Sequence, residues 1–219
     1  MFNYQIVIEY LGTNYVGWQI QKNGPSIQLI VQKALTKVLG SKIKINGSGR
    51  TDAGVHAKGQ SANFISNREI NDKYKFLNSV NFFLKKKSIS ITKIKKKNIN
   101  FHARYSVKAK IYKYIILNRK TSSPIYDKRA WLVKNKLNLV EMKKGIKFYL
   151  GTHNFTSMRA ASCGAKSPIR TITKACINKS SDKIMITFKD KIRAIAPGQS
   201  AVLYDNDICL GGGIINQTF

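Results

Sequence analysis

The sequence has 219 residues, 43% of them hydrophobic, and its 39 lysines and arginines against 10 acidic residues give a formal net charge of +29. This composition excludes a disordered chain. The sequence contains no run of about 18 apolar residues, and its N-terminus does not show the basic and then apolar segments of a signal peptide. We therefore expect a cytoplasmic protein with no membrane partner. The basic excess predicts nucleic acid as partner, because a polyanion relieves the self-repulsion. The alternative explanation of the high net charge is drift in the base composition of the gene, which would scatter lysines over every solvent-exposed face.

The first half of the chain alternates strand and helix patterns. Residues 2–10 have the two-residue period of a half-buried strand. Ser26 is predicted to cap a helix that Gly40 ends. Strands at 42–46 and 61–65 then flank the glycine-rich stretch GSGRTDAGVHAKGQ. This order places Asp52 on a loop at the end of a sheet, where functional residues are often held by a rigid scaffold.

The second half continues with mixed elements. Its patterns predict helices at 74–84 and 139–150, and strands at 88–94, 108–117, 172–178 and 183–188. From Lys189 onward, short apolar runs alternate with Pro-Gly and triple-glycine turns, as in small antiparallel hairpins. We therefore predict an α+β fold with a mixed, largely antiparallel sheet flanked by helices and a short β-hairpin tail.

The glycine-rich stretch has two interpretations on residue chemistry alone. An aspartate in such a turn often only closes the turn. If the partner is RNA, however, a carboxylate beside Arg50 suits attack on a base or sugar better than phosphate binding, because Asp52 would repel the phosphates. A paired base would have to leave its stack to reach the carboxylate. The catalytic interpretation and the structural one both remain open at this point.

Several motifs together resemble the tRNA pseudouridine synthase A family. GRTDAGVHAKGQ is similar to its catalytic signature, and IEYLGTNYVGWQIQ and SIQLIVQKAL are similar to its first strand, aromatic loop and first helix. NFHARYSVKAKIYKYII resembles its second catalytic motif, and GTHNFTSMRA and SPIRTI resemble later segments. The resemblance covers about residues 2–188. It implies the pseudouridine synthase fold and isomerisation of uridine to pseudouridine at positions 38–40 in the anticodon stem-loop of tRNA.

The resemblance also implies roles for individual residues. Asp52 corresponds to the family's nucleophile, and Arg50 to the motif's arginine, which we expect to pair with the carboxylate. Tyr112 corresponds to the tyrosine that stacks on the target uracil. The reaction requires neither metal nor cofactor. Cys163, Cys176 and Cys209 are expected to be reduced thiols and not ligands.

Three arginines inside family-like segments, Arg104, Arg159 and Arg170, are predicted to contact tRNA, and the family further implies a homodimer. Lys95 to Lys97 are read as a solvated basic edge that contacts phosphates. His56 and His102 are read as structural. Trp18 and Tyr15 are equally compatible with RNA contact and with packing on the first helix. The predicted regions are 1–104, 105–188 and a tail at 189–219.

The sequence departs from the family after Phe188. A segment of the type FLxHxVRNIVG, whose arginine pairs with the catalytic aspartate, is not found there. Residues 190–215 are similar instead to the C-terminal end of tRNA 2-thiouridylases. Two alternatives to an active synthase therefore stand: a catalytically impaired tRNA-binding protein of the same fold, and a general basic RNA binder, which leaves GRTDAG unexplained.

Overall fold

The structure is a computed structural model of the chain, and it describes residues 1–158 and 167–190 together with the backbone of strands at 200–205, 208–214 and 217–218. It divides into two compact units, Met1–Val107 and Lys108–Phe219. This division lies close to the predicted boundary between 104 and 105. The separate status of 189–219 stays a prediction.

The first unit is an antiparallel sheet with two helices on one face. Strand β1 (Phe2–Tyr10) lies between β3 (His56–Ser66) and β4 (Ile89–Lys97), and β2 (Ile45–Gly47) pairs with β3. Residues 4, 6, 8 and 10 of β1 are buried, as the alternating pattern predicts. They pack in one core with the apolar stripes of α1 (Ile27–Leu39) and α2 (Lys73–Leu84).

Local sequence signals place the helix ends. The Ser26 hydroxyl accepts a hydrogen bond from the Leu29 amide at 3.3 Å, and Gly40 ends α1 with a φ of 70°. Both predictions are confirmed. The carboxylate of Asp72 accepts from the Lys75 amide at 2.8 Å and so caps α2. Such caps satisfy amides that the helix leaves without partners.

The second unit contains four strands that pair in sequence. Strand β5 (Lys110–Asn118) pairs with β9 (Lys183–Asp190), β9 with β8 (Ile169–Ser180), and β8 with β7 (Gly151–Asn154), all antiparallel. The short β6 (Trp131–Val133) runs parallel to β5. Helix α3 (Leu139–Gly145) contributes Met142 to a second core around Tyr114 and Phe188.

The tail is also β-structured. Strands β10 (Ser200–Asp205) and β11 (Ile208–Ile214) form an antiparallel hairpin, and β12 (Gln217–Thr218) pairs with β5. The α+β fold, its largely antiparallel pairing and the hairpin tail are thus confirmed. None of the helices in the described part of the chain is long and apolar enough to span a membrane.

Tertiary pairing changes several predicted bounds. β3 begins at His56 instead of residue 61, because Ala57 and Gln60 pair with Tyr10 and Ile8 of β1. β4 continues through Lys97, so the run at 95–97 lies within a strand. The predicted helix at 139–150 ends at Gly145 and continues as a 3₁₀ turn over Ile146–Tyr149.

Candidate active site

Residues 48–55 connect β2 to β3 and carry Asp52 at the end of the first unit's sheet. Thr51 is 4% exposed, whereas Arg50 and Asp52 on either side of it are exposed. The loop is therefore anchored by its middle residue and presents its two charged side chains to solvent. This is the arrangement that the strand, loop and strand pattern predicts.

The segment after β1 holds this loop through both backbone and side chains. The Trp18 amide donates to the Thr51 carbonyl at 2.9 Å, and the Gly54 amide donates to the Tyr15 carbonyl at 3.3 Å. In addition, the Tyr10 hydroxyl and Thr51 Oγ1 form a buried hydrogen bond at 2.9 Å. Asp52 thus lies between two residues that are each tied to residues 10–18.

Gly17 permits a close backbone approach at this point. Its φ is +107°, and a Cβ built there would lie 2.4 Å from the Thr51 carbonyl oxygen and 3.3 Å from the Asp52 Cα. A side chain would therefore collide with the backbone that carries the carboxylate. A positive φ is also unfavourable for residues other than glycine.

Trp18 and Tyr15 are packed inside the first unit, at 3% and 9% exposure. The Trp18 indole lies against Gly47, where a Cβ would come within 2.6 Å of the ring. The Tyr15 hydroxyl donates to the Lys87 carbonyl at 2.5 Å. The packing interpretation is confirmed, although the contacts reach beyond the first helix.

The two histidines also make local structural contacts. His56 is 2% exposed, and its Nδ1 accepts the Gly12 amide at 3.0 Å, so the ring binds the aromatic loop to the start of β3. Nδ1 of His102 accepts the Arg104 amide at 3.2 Å. Because an accepting nitrogen carries no proton, each ring serves in these bonds as a backbone acceptor.

Neighbouring protein atoms partly desolvate the Asp52 carboxylate although its side chain is exposed, and this raises the pKa of Asp52 above its ordinary value. Desolvation disfavours the charged form and so makes the carboxylate a better base. No ion pair or hydrogen bond joins Arg50 to Asp52, whereas pairs such as Lys96 with Glu69 and Arg119 with Asp182 do form elsewhere in the described ranges 1–158 and 167–190. The predicted Arg50 pairing is thus not formed, which accords with the small gain that exposed pairs provide.

Tyr112 lies in β5 of the second unit and is 1% exposed. Its backbone pairs with Phe188 of β9 and Thr218 of β12, and its side chain belongs to the second core. A uracil can reach the ring only if the surrounding side chains move. The stacking role of Tyr112 stays a prediction.

The predicted tRNA contacts have different surroundings. Arg104 is exposed and follows Ala103, whose amide donates to the buried Asn63 Oδ1 at 2.9 Å. The Arg170 Nη1 donates hydrogen bonds to the Ser167 and Ile169 carbonyls at 2.8 and 2.6 Å. The guanidinium therefore stabilises the local backbone at 167–170. Arg159 lies outside the described residues.

In the described ranges, no group of three His, Cys, Asp or Glu side chains is placed to hold an ion. Cys176 is a free, partly exposed thiol. The side chains of Cys163 and Cys209 lie outside the described part of the structure.

Sequence reasoning missed the supports of the site. The hydrogen bond between Tyr10 and Thr51 joins residues 41 positions apart, and no local sequence pattern predicts it. The same holds for the Asn3 and Asn63 side chains, which hold the Phe101 carbonyl at 2.7 and 3.3 Å. Both Asn side chains are buried on the sheet face away from the two helices, and the available signal in the sequence was an Asn within each strand.

Comparisons with known proteins identify the relatives of this chain. A profile described as tRNA pseudouridine synthase matches residues 6–106, and one described as aminomethyltransferase beta-barrel domain matches residues 152–215. The chain is 50% identical over 191 residues to a tRNA pseudouridine synthase A of Pelagibacter ubique, covering 87% of this chain and 78% of the relative. It is 44% identical over 188 residues to the protein of that name from Thermoanaerobacter pseudethanolicus, covering 85% and 75%. Residues 190–215, which depart from the first family, lie within the match to the second profile. That match begins earlier, at residue 152.

Proposed function

The chain belongs to the tRNA pseudouridine synthase A family, and we propose that it isomerises uridine to pseudouridine in tRNA, with Asp52 as the nucleophile. The reaction breaks the bond between uracil N1 and the sugar, turns the detached uracil, and joins its C5 to the same sugar carbon. The proton on C5 is released and N1 gains one, so the product is an isomer. No oxidant, reductant or metal enters this balance.

The observation that carries this proposal is the contrast between Asp52 and its surroundings. The carboxylate is exposed, whereas Thr51 beside it is buried and is bonded to Tyr10 and Trp18. A turn-closing aspartate would instead be expected to bond backbone amides with its side chain. A nucleophile must be held rigidly and still be reachable by a flipped nucleotide, which is the situation of Asp52.

The raised pKa of Asp52 supports the same role. A carboxylate that is incompletely solvated attacks carbon or accepts a proton more readily than one in bulk water, provided that it is ionised at the working pH. Arg50, exposed two residues away, is available to bind the substrate because it is not engaged with Asp52.

The test is tritium release from tRNA labelled at uridine C5. The parent is expected to release tritium and Asp52→Asn to release none, with equal tRNA binding by both. Glu9→Gln is the matched control, because Glu9 is also an exposed acidic residue of the first unit and lies on β1. Loss of release in both variants, or in neither, would reject Asp52 as the nucleophile.

One observation favours a second candidate, a catalytically impaired tRNA-binding protein. Asp52 lacks an arginine partner among the described residues, and the arginine segment expected after Phe188 is not found in the sequence. An ionised group without its counter-charge is harder to hold in a catalytic geometry. Tight tRNA binding by the parent without any tritium release would select this candidate.

Three finer assignments complete the proposal. The family resemblance supports uridines 38–40 of the anticodon stem-loop as targets, which mapping of pseudouridine in reacted tRNA would test. It also supports a homodimer, and Tyr74 and Phe82 of α2, 76% and 78% exposed, supply apolar surface for such contact. Light scattering would measure the dimer. A tRNA substrate further supports a cytoplasmic location, to be checked by fractionation.

A further inference from the structure

The sheet of the first unit has two chemically different faces. Residues 4, 6, 8 and 10 of β1 face the core beneath α1 and α2. On the opposite face, Val7, Gln5 and Asn3 of β1 lie opposite Lys93, Lys95 and Lys97 of β4. These three lysines therefore form one row, here called the lysine ladder, on the face away from the two helices.

The geometry of the lysine ladder suits a polyanion. Alternate residues of a strand are about 6.7 Å apart, since each residue advances roughly 3.3 to 3.4 Å. The three positions therefore span about 13 Å along β4, which separates the ammonium groups enough to contact different phosphates of one RNA backbone. Each ammonium group can thus meet a different phosphate.

Among the residues that the structure describes, no carboxylate forms an ion pair with the lysine ladder. Lys93 and Lys95 are exposed and take part in none of the ion pairs of the described ranges, while the Lys97 Nζ lies 5.2 Å from the centre of the Phe101 ring. Lys96 differs, because it is on the other side of β4 and pairs with Glu69. The acidic residue of β1 on the ladder face, Glu9, lies beyond Lys93, opposite Ser90.

The lysine ladder continues into a second RNA-suited segment. β4 ends at Lys97, and residues 98–106 follow, with Asn3 and Asn63 binding their backbone carbonyls and amides. This segment presents Arg104 and the 75% exposed Tyr105, whose ring centre is 4.5 Å from that of His102. An exposed aromatic ring next to cationic side chains is a common feature of RNA-binding surfaces.

We propose that the lysine ladder of β4 is a phosphate-binding track that holds the backbone of the tRNA substrate on the face of the first unit's sheet away from its two helices. The proposal rests on the proposed function for the identity of the RNA. The track positions the tRNA by charge and does not read its sequence, because ammonium groups on flexible stems contact phosphates without distinguishing bases.

A competing explanation is that the lysines protect an edge. Within the described part of the structure β4 pairs with β1 alone, and lysines on such strands prevent pairing with other molecules. The two explanations differ in what removal of the charge changes. Loss of a phosphate track lowers the salt dependence of tRNA binding, whereas loss of edge protection causes aggregation and leaves that dependence unchanged.

The experiment measures tRNA affinity as a function of salt for K93Q/K95Q/K97Q in the Asp52→Asn background, where no turnover interferes. The matched control is K33Q/K73Q/K75Q, which removes three exposed lysines from the helical face of the same unit. Three lost phosphate contacts should lower the slope of log K against log salt by about 2 to 3. A slope difference of 2 makes the parent's affinity fall about 100-fold more than the variant's over a tenfold rise in salt.

The proposal stands if the ladder variant loses this slope and the control keeps it. An unchanged slope in the ladder variant overturns the proposal, with or without aggregation, and an equal loss in both variants overturns it in favour of unspecific attraction by net charge. Single variants K93Q and K95Q, each expected to lower the slope by about 0.7 to 0.9, serve if the triple variant does not fold. Tritium release by the parent is measured in a separate assay. The salt dependence of tRNA binding can therefore be interpreted even if the parent does not catalyse the proposed reaction.

Discussion

Gly17→Ala is expected to damage the reaction without touching any charged or aromatic residue of the site. The new methyl group would lie 2.4 Å from the Thr51 carbonyl oxygen, where an ordinary contact begins near 3.4 Å. The loop must therefore retreat by about 1 Å or Gly17 must move away from it. Either response strains the hydrogen bond from the Trp18 amide to the Thr51 carbonyl.

The size of the effect follows from this displacement. A misplacement of about 1 Å at a reacting group costs on the order of 10²-fold in rate, equivalent to about 2.7 kcal/mol in the activation barrier. The φ of +107° at Gly17 adds conformational strain of about 1 to 3 kcal/mol for alanine, which lowers the free energy of unfolding. We therefore expect kcat/KM to fall about 100-fold in protein that is still folded at 25 °C.

The assay is tritium release under single-turnover conditions, with the folded fraction measured by circular dichroism. Gly40→Ala is the control: its φ is +70°, and nothing lies within 4 Å of the new Cβ. It should lose about 1 to 2 kcal/mol of stability and keep its kcat/KM. If Gly17→Ala retained kcat/KM within threefold of Gly40→Ala at equal folded fraction, the argument that residue 17 positions Asp52 would be refuted.

Four further predictions concern protonation and buried hydrogen bonds. Activity should fall with decreasing pH at a midpoint above the ordinary aspartate value, since the pKa of Asp52 is raised by desolvation. A raised pKa means that the ionised Asp52 destabilises the folded state, so Asp52→Asn should raise the Tm at neutral pH in high salt. This gain in Tm should vanish as the pH falls through the ordinary aspartate pKa, because the parent is then protonated at Asp52. A gain that persists at such low pH would contradict desolvation of the carboxylate as its cause. Tyr10→Phe should lower the free energy of unfolding by about 1 to 3 kcal/mol because it leaves Thr51 Oγ1 without its partner. Tyr114→Phe should be neutral or stabilising, because the buried Tyr114 hydroxyl has no hydrogen-bond partner among the described residues. Equal losses of stability in urea denaturation would refute the distinction. Asn63→Leu should cost about 2 to 4 kcal/mol and expose residues 98–106 to proteolysis, because the Ala103 amide and Phe101 carbonyl lose a buried partner; resistance equal to the parent's would argue against this anchoring role.

Short-range patterns were sufficient for most of the elements. The alternation of residues 2–10 predicted β1 with its observed bounds, and Ser26 and Gly40 predicted both ends of α1. These signals are strong because capping and two-residue periodicity are determined by neighbours within a few positions. The strands predicted on either side of the motif likewise place Asp52 on a loop between strands.

Other features depend on residues far apart in the chain, and no local pattern contains them. Sequence alone determined the basic character, the α+β class, the family resemblance and the position of Asp52, since each is encoded in composition or contiguous residues. Long-range pairing was needed to show that Tyr10 and Gly17 support the loop and that Trp18 packs inward. It was also needed to show that Arg50 does not pair with Asp52, and that Lys93, Lys95 and Lys97 share the sheet face away from the two helices. The physical reason is that burial and pairing arise from the register between strands, and that register depends on the whole core packing at once.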